Sequence, residues 1–79
     1  MPWTLDPEIT YYQVLRKDGD AWKAVLNDEF GGSLHETLDT AMEVAKELGA
    51  DGVAVKVRRV YVSWSGRRRK GVTVYRKIH

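Results

Sequence analysis

Residues 67–70 are four consecutive cations, three arginines and a lysine, and a glycine stands on each side of them. Like charges at this spacing repel one another, so an external anion would stabilise the segment. The planar guanidinium group donates two parallel hydrogen bonds to a phosphate, which makes phosphate the anion of choice. Trp64 precedes this run closely and could either stack on a base or anchor the segment to its own core. The stretch therefore predicts a phosphate-binding segment.

The charges of the chain are distributed very unevenly. Residues 1–51 contain all 11 acidic residues and 4 basic ones, a net charge of −7. Residues 52–79 contain 9 basic residues and no acidic residue, a net charge of +9. Such an asymmetry indicates an electrostatic partner more strongly than the total charge of +2 does. The alternative is that the acidic part neutralises the basic part when the chain folds.

Basic residues interleaved with an aromatic on an open sheet suit a nucleic-acid backbone, which needs charge and stacking. The competing explanation is that edge strands carry lysine and arginine to prevent sheet-to-sheet aggregation. The candidate nucleic-acid-binding residues are Lys56, Arg58, Arg59, Trp64, Arg67, Arg68, Arg69, Lys70, Tyr75, Arg76 and Lys77.

The remaining polar residues do not form a catalytic or metal-binding pattern. His35 lies four residues before Asp39, and we expect it to cap a helix or pair on the surface, since a metal site needs three or four donors. Ser63 and Ser65 have no histidine nearby in the sequence to act as a base. We therefore expect no enzyme, no cofactor and no metal.

The length and composition indicate one small domain. A chain of 79 residues buries a thin core, and without cysteine no disulfide can reinforce it. The absence of cysteine fits a reducing cytoplasm, so we expect a cytoplasmic protein. We expect neither a signal peptide nor a membrane span, because the longest apolar runs are far too short.

The first hairpin is predicted over residues 9–27. Residues 9–16 are β-branched and aromatic, as strands prefer, and Asp18-Gly19 marks the turn. In the second strand, Trp22, Ala24 and Leu26 alternate with polar residues and are expected to face the core.

A helix is predicted over residues 33–48, where apolar residues recur at three- and four-residue spacing. Ser33 and Glu36 match a capping box, although Asp39 could instead cap a shorter helix. Gly49 is expected to end it.

The second hairpin is predicted over residues 53–78. Valines alternate with cations until the apolar phase changes at Arg58 and Arg59, which predicts a β-bulge there. Because the third strand is longer than the fourth, the hairpin is expected to project as an arm with residues 67–70 at its tip.

These elements predict an α+β fold of order ββαββ in a single domain, residues 1–79, with residues 1–8 as an N-terminal extension. One helix packs on one face of a four-stranded, mainly antiparallel sheet of order 2-1-3-4. The uncovered face is expected to show Lys56, Arg58, Tyr75 and Lys77.

The sequence favours a small non-enzymatic nucleic-acid-binding protein that contacts phosphates of DNA or RNA with little base specificity. The alternative is a protein-interaction module, a regulator or inhibitor of a larger complex, that uses the acidic helix face or the uncovered sheet. A homodimer formed through that sheet is a further possibility.

Overall fold

The computed structural model describes residues 7–27 and 32–78. A single helix packs on one antiparallel sheet, so the predicted α+β class is confirmed. The sheet order is β2-β1-β4-β5, and the short strand β3 pairs with β1 along the same edge as β2. The four longer strands follow the predicted order, whereas β3 was not predicted. In chain order the elements are β1 (Glu8–Asp18), β2 (Ala21–Ala24), β3 (Leu34–His35), α1 (Leu38–Ala50), β4 (Val55–Ser63) and β5 (Arg68–Lys77).

The core lies between α1 and one side of the sheet, which we call the helix face. Val14, Val55 and Val57 are fully buried there against Ala41 and Ala45 of the helix. Burying a valine contributes about 1.5–3 kcal/mol relative to leaving it in water, so these three side chains hold the helix to the sheet. The opposite side of the sheet is called the open face.

The helix is too short to cover the whole sheet. Its 13 residues span about 20 Å, whereas the 11 residues of β1 span about 36 Å. The molecule is accordingly elongated, with extents of 51 × 24 × 18 Å. Within residues 7–27 and 32–78, α1 is too short and too polar to cross a bilayer, and no other helix is present.

Thr37 caps the helix, so both predicted caps are wrong. The Thr40 amide donates to Thr37 Oγ1 at 3.3 Å. The capping box of Ser33 and Glu36 is not formed because residues 34 and 35 pair with β1 as β3, which keeps the chain extended until Thr37. Asp39 lies in the first turn of the helix and not at the cap. In the first turn its negative charge interacts favourably with the positive end of the helix dipole.

The helix continues past Gly49 to Ala50, so the predicted C-terminal stop is two residues early. Gly52, with a φ of +85°, supplies the left-handed conformation that turns the chain back. Gly49 instead gives space to Lys77, since a Cβ on Gly49 would lie 3.3 Å from Lys77 Cδ.

The first hairpin is confirmed, but the predicted core face of its second strand is wrong. Gly19 has a φ of +64°, as a tight turn between β1 and β2 requires. The register pairs Ala24 with Leu15, and Leu15 points away from Val14 and the helix. Trp22 and Ala24 therefore lie on the open face, and Leu26 is 79% exposed.

The second hairpin is not a free arm. Strand β1 pairs with β4 from Arg16↔Val55 to Glu8↔Ser63, which is the full length of β4. Glu8, predicted to belong to an N-terminal extension, is thus part of the sheet, and residues 1–6 lie outside the described part of the chain. The loop consists of residues 64–67, and Gly66 within it has a φ of +90°.

The irregularity predicted near Arg58 and Arg59 is present, but the additional residues lie in β5. Pairing changes from Val57↔Tyr75 to Arg58↔Thr73 and then to Val60↔Lys70. Over this interval β5 contains two residues more than β4. Strand β4 itself stays in continuous register with β1. The apolar residues of β4 change from odd to even positions because Val57 is buried beneath the helix, whereas Val60 is buried on the open face.

Gly71 lies where the ring of Tyr61 crosses β5. A Cβ at this position would come within 2.6 Å of Tyr61 Cε2 and 3.0 Å of Arg59 Cβ. The backbone carbonyl oxygen of Arg59 would also lie 3.2 Å from this Cβ, and it belongs to a strand that is paired on both sides. Glycine is therefore required here for packing and not for backbone freedom.

We predict that Gly71→Ala lowers the free energy of unfolding by about 1–3 kcal/mol, the usual cost of overpacking. The matched control is Gly32→Ala, because nothing lies within 4 Å of a Cβ at that position. Urea denaturation of both variants checks this, and equal stabilities would show that Tyr61 does not pack against Gly71.

Candidate nucleic-acid interface

Six cations share the open face. The register pairs Lys56 with Arg76, Val60 with Lys70 and Val62 with Arg68, and paired residues in a sheet point to the same side. Lys17 lies two residues after Leu15 in β1, so its side chain also points to the open face. The open-face cations are Lys17, Lys56, Arg58, Arg68, Lys70 and Arg76.

The electrostatics of Lys56 show how close these charges lie. Its pKa is lowered below the ordinary value for lysine, first by burial and then by the charges of Arg58, Arg76, Lys17 and Lys70. All of these neighbours belong to the open face. The surroundings of Lys56 are therefore a concentrated region of positive potential.

Trp22 holds two of the cations over the sheet. The Lys56 ammonium lies 4.6 Å from the ring centroid and that of Lys17 lies 5.3 Å from it. Because β1 separates β2 from β4, the contact between Lys56 and Trp22 must cross above β1. That crossing explains why Leu15 is only 3% exposed on a face that no helix covers.

A hydrogen-bond chain orients Arg58. Arg58 Nε donates to Gln13 Oε1 at 2.9 Å, and Gln13 Nε2 donates to Ser33 Oγ at 2.6 Å. Gln13 is 7% exposed, so water competes little for these bonds. Sequence reasoning missed Gln13, Ser33, Trp22 and Lys17. The available signal was a lone glutamine inside an apolar strand.

An open cavity of about 190 Å³ lies beside this chain. Val60 forms an apolar part of its lining and is 4% exposed. The residues that line the cavity are Gln13, Arg58, Val60, Arg68, Arg69 and Lys70.

Residues 67–70 do not act as one charged tip. Strand β5 begins at Arg68, so successive side chains alternate between the faces. Arg68 and Lys70 belong to the open face, whereas Arg69 pairs with Tyr61 on the helix face. Arg67 stays in the loop, where its amide donates to Ser63 Oγ.

Arg69 is neutralised by an acid from the N-terminal part of the chain. Its Nη2 lies 2.9 Å from Glu8 Oε1, and the hydrogen bond and charge of Glu8 raise the pKa of Arg69. Within residues 52–78, Arg69 is the one cation that forms an ion pair with a described carboxylate. Among the described carboxylates, neutralisation of the basic part is therefore local to Arg69.

Three other predicted site residues lie on the helix face. Tyr75 pairs with Val57 and Lys77 with Val55, so both point toward α1, and their predicted place on the uncovered face is wrong. Arg59 pairs with Tyr12 on the same side. The prediction failed because it placed odd-numbered residues of β5 on the same face as Lys56 and Arg58. The register pairs Arg68 with Val62 and Arg76 with Lys56, and the two additional residues in β5 leave this alternation unchanged.

Trp64 is presented at the end of the hairpin. It is 81% exposed, so it does not anchor the hairpin to the core. Its amide donates to the Pro7 carbonyl at 2.9 Å. Ser63 Oγ at the end of β4 lies 3.0 Å from Ser65 Oγ in the loop. The two serines shape the turn, and Trp64 is accessible for stacking.

His35 is buried in β3 at 3% exposure, so the predicted capping or surface pairing with Asp39 is wrong. Neither of its ring nitrogens has a hydrogen-bond partner within the described chain. In residues 7–27 and 32–78 no three histidine or carboxylate side chains are grouped to hold a metal.

Comparison of the chain with protein-family models, with curated proteins and with solved structures gives no significant match. The geometry of the open face is therefore the basis for any functional conclusion.

We predict that Arg76→Ala raises the pKa of Lys56, because it removes a neighbouring positive charge. Arg59→Ala is the matched control, since Arg59 lies on the helix face and should leave this pKa unchanged. An NMR titration of the Lys56 side chain measures both. An equal effect of the two substitutions would contradict the grouping of charges on the open face.

Proposed function

We propose that this chain is a non-enzymatic nucleic-acid-binding protein whose open sheet face contacts the phosphate backbone. The observation that supports the proposal most strongly is the convergence of six cations on the face that α1 does not cover. Each phosphate that the cations neutralise releases condensed counterions, which is the main source of nonspecific affinity for nucleic acid.

The lack of ion pairs on the open face, among the residues that the structure describes, supports a polyanionic partner. No described carboxylate forms an ion pair with an open-face cation. Beyond the effect of burial, the charges of neighbouring open-face cations lower the pKa of Lys56. An anion that spans the face would relieve this repulsion at several positions at once.

Low base specificity follows from the kind of donors available. Lysine and arginine on an open strand surface fit phosphate oxygens, and phosphate contacts position a protein without reading sequence. Trp64 at the end of the hairpin adds a stacking surface that accepts any base.

A protein-interaction module is the second candidate. The outer surface of α1 and its flanks is strongly acidic, which would suit a basic protein partner. The exposed acidic residues there are Glu36, Asp39, Glu43, Glu47 and Asp51. A homodimer through the open face is less favourable, because it would bring two sets of cations together. Binding to a basic protein without binding to DNA or RNA at low salt would favour this candidate.

We predict that log Kobs falls with log salt at a slope of roughly −4 to −5 on duplex DNA, as expected if four to six phosphates are neutralised. Replacing Arg68 and Lys70 together by alanine should flatten the slope by about 2. The matched control replaces Arg59 and Lys46 by alanine, which removes the same charges from other surfaces.

Fluorescence anisotropy with duplex and single-stranded oligonucleotides at several salt concentrations measures these slopes. If the two double variants lost the same affinity, net charge and not the open face would govern binding. If the parent protein bound neither DNA nor RNA at low salt, the proposed function would be wrong.

A further inference from the structure

The cavity on the open face contains an arginine that is already positioned. Gln13 accepts from Arg58 Nε and is itself anchored to Ser33, and both anchors are buried. With Nε engaged, the two terminal nitrogens of the guanidinium are the donors available to a ligand. This is the planar fork that fits two oxygens of one phosphate.

The charge at the cavity exceeds what one backbone phosphate requires. Arg58, Arg68 and Lys70 all line a space of about 190 Å³, and none forms an ion pair with a described carboxylate. A phosphodiester carries one negative charge, whereas a phosphomonoester carries about −1.5 to −2 at neutral pH. With Arg69 of the lining already paired to Glu8, the three remaining cations of this small cavity suit a monoester better than a diester.

We propose that this cavity binds a phosphomonoester, supplied by the terminal phosphate of a nucleic-acid strand. Arg58 donates its fork to the phosphate, Lys70 and Arg68 balance the second charge, and Gln13 is a positioning residue. The inference rests on the proposed nucleic-acid binding and adds a specific site to it. The remaining open-face cations then follow the strand away from its end.

The test compares oligonucleotides of one sequence that carry a 5′-phosphate, a 3′-phosphate or hydroxyl groups at both ends. One phosphorylated form should bind about tenfold more tightly than the dihydroxyl form, the effect of charge-assisted hydrogen bonds. The preference should shrink below about pH 6, where the monoester takes up its second proton. A nucleoside monophosphate should bind more weakly than the phosphorylated strand.

Arg58→Lys distinguishes specific phosphate binding in the cavity from nonspecific charge attraction. It keeps the positive charge but removes both the hydrogen bond from Nε and the two terminal nitrogens of the guanidinium. It should abolish the preference for a terminal phosphate, measured as the ratio of the affinities for the phosphorylated and the dihydroxyl strand. The control is Arg76→Lys, on the same face but outside the cavity lining, which should leave the preference intact.

Gln13→Met tests the positioning role. It should reduce the preference and also speed solvent exchange of the Arg58 Nε proton, an NMR signal that a change in stability alone would not affect selectively. A preference that survives unchanged in this variant would overturn the role of Gln13.

The outcomes distinguish the two proposals. Equal affinity for all three strand forms would overturn the cavity assignment and leave backbone binding intact. A preference that persists in Arg58→Lys would overturn the role of Arg58. A nucleoside monophosphate that binds as tightly as the strand would overturn the assignment to a strand end. No binding to any oligonucleotide would overturn both proposals.

Discussion

Side chains alternate between the two sides of a strand, and this constraint determines where the charges of the protein lie. Burial of Val55 and Val57 beneath the helix requires Lys56 and Arg58 to point to the opposite side. A slip of one residue would bury both cations in a core that offers them no partner, at a cost far above the few kcal/mol gained from each valine. The packing of the core and the position of the cations on the open face therefore depend on the same register.

One short helix leaves the other side of the sheet without a covering layer, yet Leu15, Gln13 and Val60 are buried there. Long polar side chains provide this cover. Lysine and arginine can lay their aliphatic parts over apolar atoms while their charged ends stay in water. The contact of Lys56 with Trp22 is the clearest example. The same side chains thus stabilise the sheet and create its positive surface.

Features that repeat along the chain could be predicted from the sequence, whereas features set by pairing could not. The period of two in β4 and the Asp-Gly turn gave the fold class and the hairpins. The position of the helix start could not be predicted, because Ser33, Thr37 and Asp39 are all acceptable caps and the pairing of β3 with β1 selects Thr37.

The candidate site could be predicted only in part, again because strand pairing decides which residues lie together. A count of charges identifies the basic C-terminal part, but the side taken by each residue depends on cross-strand register. The register pairs Arg76 with Lys56, and this pairing places Tyr75 and Lys77 beneath the helix. The contact of Arg69 with Glu8 joins residues 61 positions apart, a distance over which no local pattern carries information.

The most direct test of the open face as the binding surface is an NMR titration with a short oligonucleotide that maps which amide and side-chain signals move. If nucleic acid binds the open face, the shifts will concentrate on Lys56, Arg58, Lys70 and Arg76, while the signals of α1 stay in place. Shifts that centre on α1, or that spread evenly over both faces, would contradict binding at the open face.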